Sequence, residues 1–194
     1  MSFWSQAGAQ PKRNYRFRVT ISKLPSLSGL TAPPANGVMW WAKAVTLPSF
    51  DVSNAEVHHF DNRYYFPGRV TWNPVSLTLT DPVSPDAAEI TSRLLENSDY
   101  DVPANDGAKK ATLNREQSIT TIGDVIIEVL QDKGGTADFK VVEKWTLKNA
   151  FIESAKYGDL AYDNDELKTI EMTLRYDVAT HNIDSSTGTG IFNI

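Results

Sequence analysis

At 194 residues, 41% hydrophobic and 22% charged, the chain is long enough for one domain with a real core and has the composition of a globular protein. The absence of cysteine excludes disulfides and thiolate metal sites, and a net charge of −5 argues against whole-molecule attraction to nucleic acid or an anionic membrane. No apolar run approaches the ~20 residues of a membrane span, and the opening MSFWSQAGAQPKRNY lacks the apolar centre of a secretory signal.

Period-2 alternation dominates the chain. In YRFRVTIS, Tyr15, Phe17, Val19 and Ile21 share one face against Arg16, Arg18, Thr20 and Ser22. VMWWAKAV, residues 38–45, is expected to be a strand bounded by Pro34 and Pro48. The next stretch, HHFDNRYYFPGRVTW at 58–72, fits neither a clean strand nor a polar loop, yet concentrates aromatics and two arginines. After it, VSLTLT alternates Val75, Leu77 and Leu79 with polar residues.

One helix is expected over about 84–97. Ser84 would be its N-cap, Pro85 its first residue, and Ala87, Ile90 and Leu94 its apolar stripe. The polar, weakly patterned stretch 99–122 is expected to be a long, mobile excursion. DVIIEVL at 124–130 then reads as a strand that turns at Gly134-Gly135 into FKVVEKWTL. There Phe139, Val141, Trp145 and Leu147 group together and Glu143 is the one dissenter. TIEMTLRYD gives the cleanest alternation, with Ile170, Met172, Leu174 and Tyr176 inward, and residues 179–194 are expected to be a flexible C-terminal arm. The fold class is mainly β: a small antiparallel barrel or sandwich with one flanking helix, in a single domain.

Catalytic and metal chemistry find little support. His58 and His59 are adjacent, so an extended chain points them to opposite faces, and His181 is remote in sequence. No GxSxG elbow is present. The acidic run YGDLAYDNDELK fails the calcium-loop template started at Asp159 or Asp163, because neither frame supplies its glycine and terminal glutamate. DKGGTAD lacks the lysine and spacing of a phosphate loop and reads as a turn. Three roles remain for the aromatic-basic stretch: a nucleic-acid platform, a core-facing segment, or a protein–protein contact. The acidic total and Asp61 argue against the first, and the last is favoured because aromatics and arginine are enriched at interface cores.

In order, these elements resemble the tail tube proteins of contractile-tailed bacteriophages, a group similar in turn to the secreted ring protein of type VI secretion. The resemblance runs from about residue 14 to 178. It rests on RFRVTI, on AKAVTLP with Lys43, Ala44, Leu47 and Pro48, on NRYYFPGRVTWNPVSLTLTD, and on the ending EKWTLKNAFIESAKYGDLAYDNDELKTIEMTLRYD. It implies a structural virion protein with no enzymatic activity and no cofactor. Six copies would close into a ring, and rings would stack into a hollow tube inside a contractile sheath on a baseplate. DNA would pass through the lumen without specific binding, and no membrane partner is implied. The protein would reside in the virion tail after assembly in the host cytoplasm.

The resemblance also implies a hairpin projecting to the next ring, which makes His58, Phe60, Arg63, Tyr64, Tyr65 and Phe66 the candidate inter-ring residues. A baseplate tube-initiating ring is the nearest alternative. A reading from another class is a carbohydrate-binding β-sandwich with Trp40, Trp41 and Tyr64 as a sugar platform.

Overall fold

The computed structural model describes residues 12–23, 38–39, 41–83, 86–100, 112–132, 139–163 and 165–183. Among these, strands β1 (Phe17–Ile21), β2 (Val38–Met39), β7 (Val125–Asp132), β8 (Phe139–Lys148) and β11 (Val178–Ile183) form one sheet in the order β11-β8-β7-β1-β2. A second sheet has the order β3-β6-β10-β9, from β3 (Ala42–Val45), β6 (Val75–Thr80), β9 (Phe151–Lys156) and β10 (Thr169–Arg175). The remaining pair, β4 (Phe50–His59) and β5 (Asn62–Trp72), makes a two-stranded sheet of its own. Every pairing is antiparallel. Among the described residues no sheet closes into a barrel, so the architecture is sandwich-like.

The core explains why these segments are strands. Val75, Leu77 and Leu79 of β6 and Ile170, Met172 and Leu174 of β10 are buried, and they pack in one cluster with Val19, Ile21, Ile127 and Leu147 of the other sheet. One face of each sheet is therefore apolar and the other wet, which is what alternation encodes. Each fully buried Leu, Ile or Val contributes about 1.5–3 kcal/mol. Tyr15 precedes β1 and is exposed, so the inward face of that strand begins at Phe17.

Helix α1 (Ala87–Asn97) buries Ala87, Ile90, Thr91 and Leu94. Its cap corrects the expectation. Asp86 is the N-cap, its carboxylate accepting from the backbone N–H groups of Ala88 at 2.8 Å and Glu89 at 3.2 Å. Ser84 and Pro85 lie outside the described residues. Asp86→Ala is expected to lower unfolding free energy by about 1 kcal/mol in urea titration, the usual cost of losing a cap.

Four further corrections concern element type and extent. Residues Arg115–Ile122 form a second helix, α2, capped by Asn114, inside what reads as an excursion. Strand β11 takes up 178–183, so the start of the expected C-terminal arm belongs to a sheet; residues 184–194 lie outside the described residues. The expected strand at 38–45 is two strands in two different sheets. Phe139 is exposed, and the β7–β8 register shifts between Val129 and Leu130, so it does not join Trp145 and Leu147 on one regular face. Gly134-Gly135 lies outside the described residues, although β7 and β8 do pair.

Candidate assembly surface

The β4–β5 ribbon leaves the sandwich where β3 ends and β6 begins. Its root is anchored: Phe50 meets Trp72 edge-on at 5.4 Å, and Trp72 lies 6.1 Å from the buried Tyr176 ring. The Asn73 side-chain amide donates to Asp51 at 2.9 Å and Ser49 at 3.2 Å. Beyond the root, every residue from Phe50 to Thr71 is exposed. At ~3.3 Å per residue, strands this long span about 30 Å. An isolated two-stranded hairpin has no core of its own, so its apolar side chains are left uncovered.

A bulge and a strained turn shape the ribbon. Its register shifts between Val52 and Asn54, and Ser53 Oγ there accepts from the Arg69 N–H at 2.8 Å. A Cβ on Gly68 would stand 2.4 Å from that Oγ and 2.9 Å from the Ser53 carbonyl oxygen, so the close approach requires glycine. At the tip, His59 pairs with Asn62 across Phe60 and Asp61. Phe60 has φ +53° and is 91% exposed, with its ring edge-on to His59 at 4.6 Å. A left-handed residue with a Cβ costs about 1–2 kcal/mol. Phe60→Gly is therefore expected to leave the subunit at least as stable in urea titration while weakening assembly.

The pairing register sorts the six candidate residues. Tyr65 opposes Glu56, and Arg63 opposes His58, so these four share one face; Glu56 lies 3.5 Å from His58 and 3.4 Å from Arg63. Phe66 opposes Ala55, and Tyr64 opposes Val57, making the other face apolar. Phe60 caps the tip. The fold thus brings all six onto one ribbon but splits them between a charged and an apolar side. Tyr64, Tyr65 and Phe66 are 51%, 60% and 55% exposed, which rules out a core-facing role within the subunit.

Beside the ribbon's root, a cleft of about 600 Å³ opens between the sheets, with Phe17, Ile127 and Val129 inside and Arg13 and Lys43 among its polar lining. Its polar anchor is Glu143, the residue that breaks the alternation of β8. Glu143 accepts from Trp145 Nε1 at 2.7 Å and from Lys12, and His181 Nε2 lies 3.0 Å away. The His181 ring stacks on Trp145 at 4.1 Å. Burial alone would raise the Glu143 carboxyl, but the Lys12 and Trp145 hydrogen bonds and the Lys12 and His181 charges outweigh it and hold it below its usual range.

At the opposite end of the second sheet, Asp81 bridges Lys168 at 2.8 Å and accepts from the Ala87 N–H at 3.1 Å. Burial would raise Asp81; its bond and charge pairing with Lys168, with help from the Ala87 and Ala88 N–H groups, lower it instead. Both carboxylates are depressed in the folded state, so their stabilisation is complete above the ordinary carboxylate value near 4 and is lost as pH falls through the folded values. Thermal melts below about pH 4 should therefore show a steep loss of Tm.

The sugar-platform reading fails on geometry. Trp41 is only 6% exposed and belongs to the core cluster, while Tyr64 stands on the ribbon; Trp40 lies outside the described residues. Among the described residues no three His, Asp or Glu side chains gather to hold a metal, and no helix is long and apolar enough to cross a membrane.

No protein-family model matches the sequence, and a search of curated proteins finds no match. Solved structures do match. A chain from the cryo-EM structure of the anti-feeding prophage cap, which terminates the tube, aligns at TM-score 0.60 with 16% identity, covering 91% of this chain and 94% of that one. In the extended state of the extracellular contractile injection system PVC, a chain of the sheath/tube terminator aligns at 0.58 and 16% identity, over 91% and 99%. A chain of the sheath–tube complex aligns at 0.57 and 16% identity, over 94% and 99%. The protein therefore has the fold of chains found in the cap, terminator and sheath–tube assemblies of these contractile injection systems.

Proposed function

We propose that the chain is a non-enzymatic, self-assembling subunit of a contractile phage tail tube: six copies close a ring, and rings stack into a conduit for DNA. The observation that carries this reading is the β4–β5 ribbon, exposed from Phe50 to Thr71 with an apolar face and a strained aromatic tip. On a fold used by tube assemblies, such a ribbon gains cover by lying on an adjacent ring. Head-to-tail contacts that close make rings, and a second head-to-tail contact makes a filament. Sheath and baseplate proteins are the further partners, and the virion tail is the location.

A tube-initiating or terminating ring differs in needing only one adhesive end. Exposed Leu160, Tyr162 and Leu167 in the β9–β10 loop, at the end opposite the ribbon, favour a subunit that stacks in both directions. Negative-stain microscopy of the purified protein tests the assignment: rings and hollow tubes are expected, and particles that remain monomeric at all concentrations and salts would overturn it. Duplex DNA at ~150 mM salt is expected to show no measurable binding, since an acidic conduit gains nothing by adhering to phosphate. Tight, salt-dependent binding in a fluorescence assay would contradict the conduit role.

A further inference from the structure

The two ends of the β3-β6-β10-β9 sheet differ in chemistry, and strand register fixes which is which. At one end Thr46 N–H bonds to the Ser76 carbonyl, the ribbon departs, and the basic cleft opens. At the other, Thr80 pairs with Thr169 and the β9–β10 loop, described over 157–163 and 165–168, turns back. That loop exposes Leu160, Tyr162 and Leu167, and from 157 to 167 it carries four acidic residues and no lysine or arginine. The cleft offers the complement: apolar side chains within, and Lys12, Arg13, Arg16 and Lys43 against the single acid Glu143. The length of β6, six residues or about 20 Å, separates the two surfaces in one subunit. A subunit therefore cannot satisfy its own pair.

We propose that the β9–β10 loop of one copy seats in the basic cleft of a second copy along the tube axis. Leu160 and Tyr162 cover the apolar lining, and Asp163 and Asp165 face Arg13 and Lys43. The occupant is a second copy because charge and apolar exposure are matched on opposite ends of the same chain, which is the condition for repeated head-to-tail addition. The ribbon leaves from the cleft end, so the two contacts point toward the same neighbour. This inference rests on the stacking proposed above.

The native chain has no cysteine, which permits a direct test in the full-length protein. Tyr162→Cys and Lys43→Cys each replace an exposed side chain. With diamide as oxidant, mixing the two single variants should give a covalent dimer on a non-reducing gel. The double variant should give a ladder of higher multiples. Each single variant alone should remain largely monomeric. Leu160→Cys with Arg13→Cys provides an independent pair should either first variant fail to melt like wild type. Charge reversal supplies a second measure: Lys43→Glu should lower the sedimentable tube fraction about tenfold, and adding Asp163→Lys should restore it.

Absence of a ladder in both pairs overturns the contact whatever microscopy shows. A ladder without visible rings keeps the contact and overturns the tube assignment, so the two failures are distinguishable. Suppression of crosslinking by a short duplex DNA that itself binds would make an anionic polymer the occupant and also overturn the contact.

Discussion

Tyr65→Asp and Phe66→Asp are each expected to abolish tube formation while the subunit keeps a wild-type melt. Both side chains are more than half exposed, on the outer part of a ribbon whose contact with the core cluster is Trp72 at its root. An aspartate there stays hydrated in the free protein; at position 65 it faces Glu56 across the ribbon, a like-charge pair that costs under about 1 kcal/mol and leaves the core untouched. In the proposed stack, where the next ring covers the ribbon, the same carboxylate is buried without a partner and costs several kcal/mol. With the six copies per ring proposed above, six such sites act together, so even a partial penalty per site stops stacking.

The two variants also separate the faces. Phe66 lies with Ala55, Val57 and Tyr64, whereas Tyr65 lies with Glu56, His58 and Arg63. Loss of stacking from Phe66→Asp alone would show that only the apolar face is covered. Circular dichroism melts beside electron microscopy decide the matter, and a lost thermal transition would overturn the contact role.

Glu143→Gln is expected to have the largest effect on the subunit itself. The carboxylate receives Lys12 and the Trp145 N–H, with His181 beside it. A glutamine keeps the shape but removes the charge and turns one acceptor into a donor facing donors. Glu143 is buried but Lys12 is 53% exposed, so the loss comes mainly from buried donors left without their acceptor and is expected to be about 1–3 kcal/mol. The urea midpoint should fall accordingly at pH 7. The acid dependence of the melt should flatten too, because a depressed carboxyl no longer takes up a proton on unfolding. An unchanged midpoint would mean that Lys12 and His181 find water instead.

Alternation made legible the strands that bury one face. Val75, Leu77 and Leu79, like Ile170, Met172 and Leu174, alternate because each faces the opposing sheet, and all six are buried. The ribbon could not be read that way: with both faces wet, burial imposes no period on its sequence. Its position between the Leu47-Pro48 turn and Trp72 came from family resemblance, and the sorting of its residues into two faces needed the register. Helix α2 escaped detection because it buries only Ile122, so no apolar stripe marks it. The break between β2 and β3 is set by which sheet each strand joins, a tertiary fact. Glu143 was visible as the exception in its strand, but the partners that explain it come from Lys12 and from β11, which alternation did not mark as a strand.

The order β11-β8-β7-β1-β2 has a consequence for how the chain reaches this state. Strand β1 ends at Ile21, yet its Val19 pairs with Ile127. On a ribosome, β1 must wait for more than half the chain to be made before its β7 partner exists. The β4–β5 ribbon closes over a two-residue turn and needs no such delay. Local hairpins close within microseconds, whereas pairing across so long a loop is slow and rate-limiting. The ribbon's pairing is therefore available to the growing chain long before that of β1 with β7, although a lone two-stranded hairpin stays marginal in water until its root docks on the sandwich.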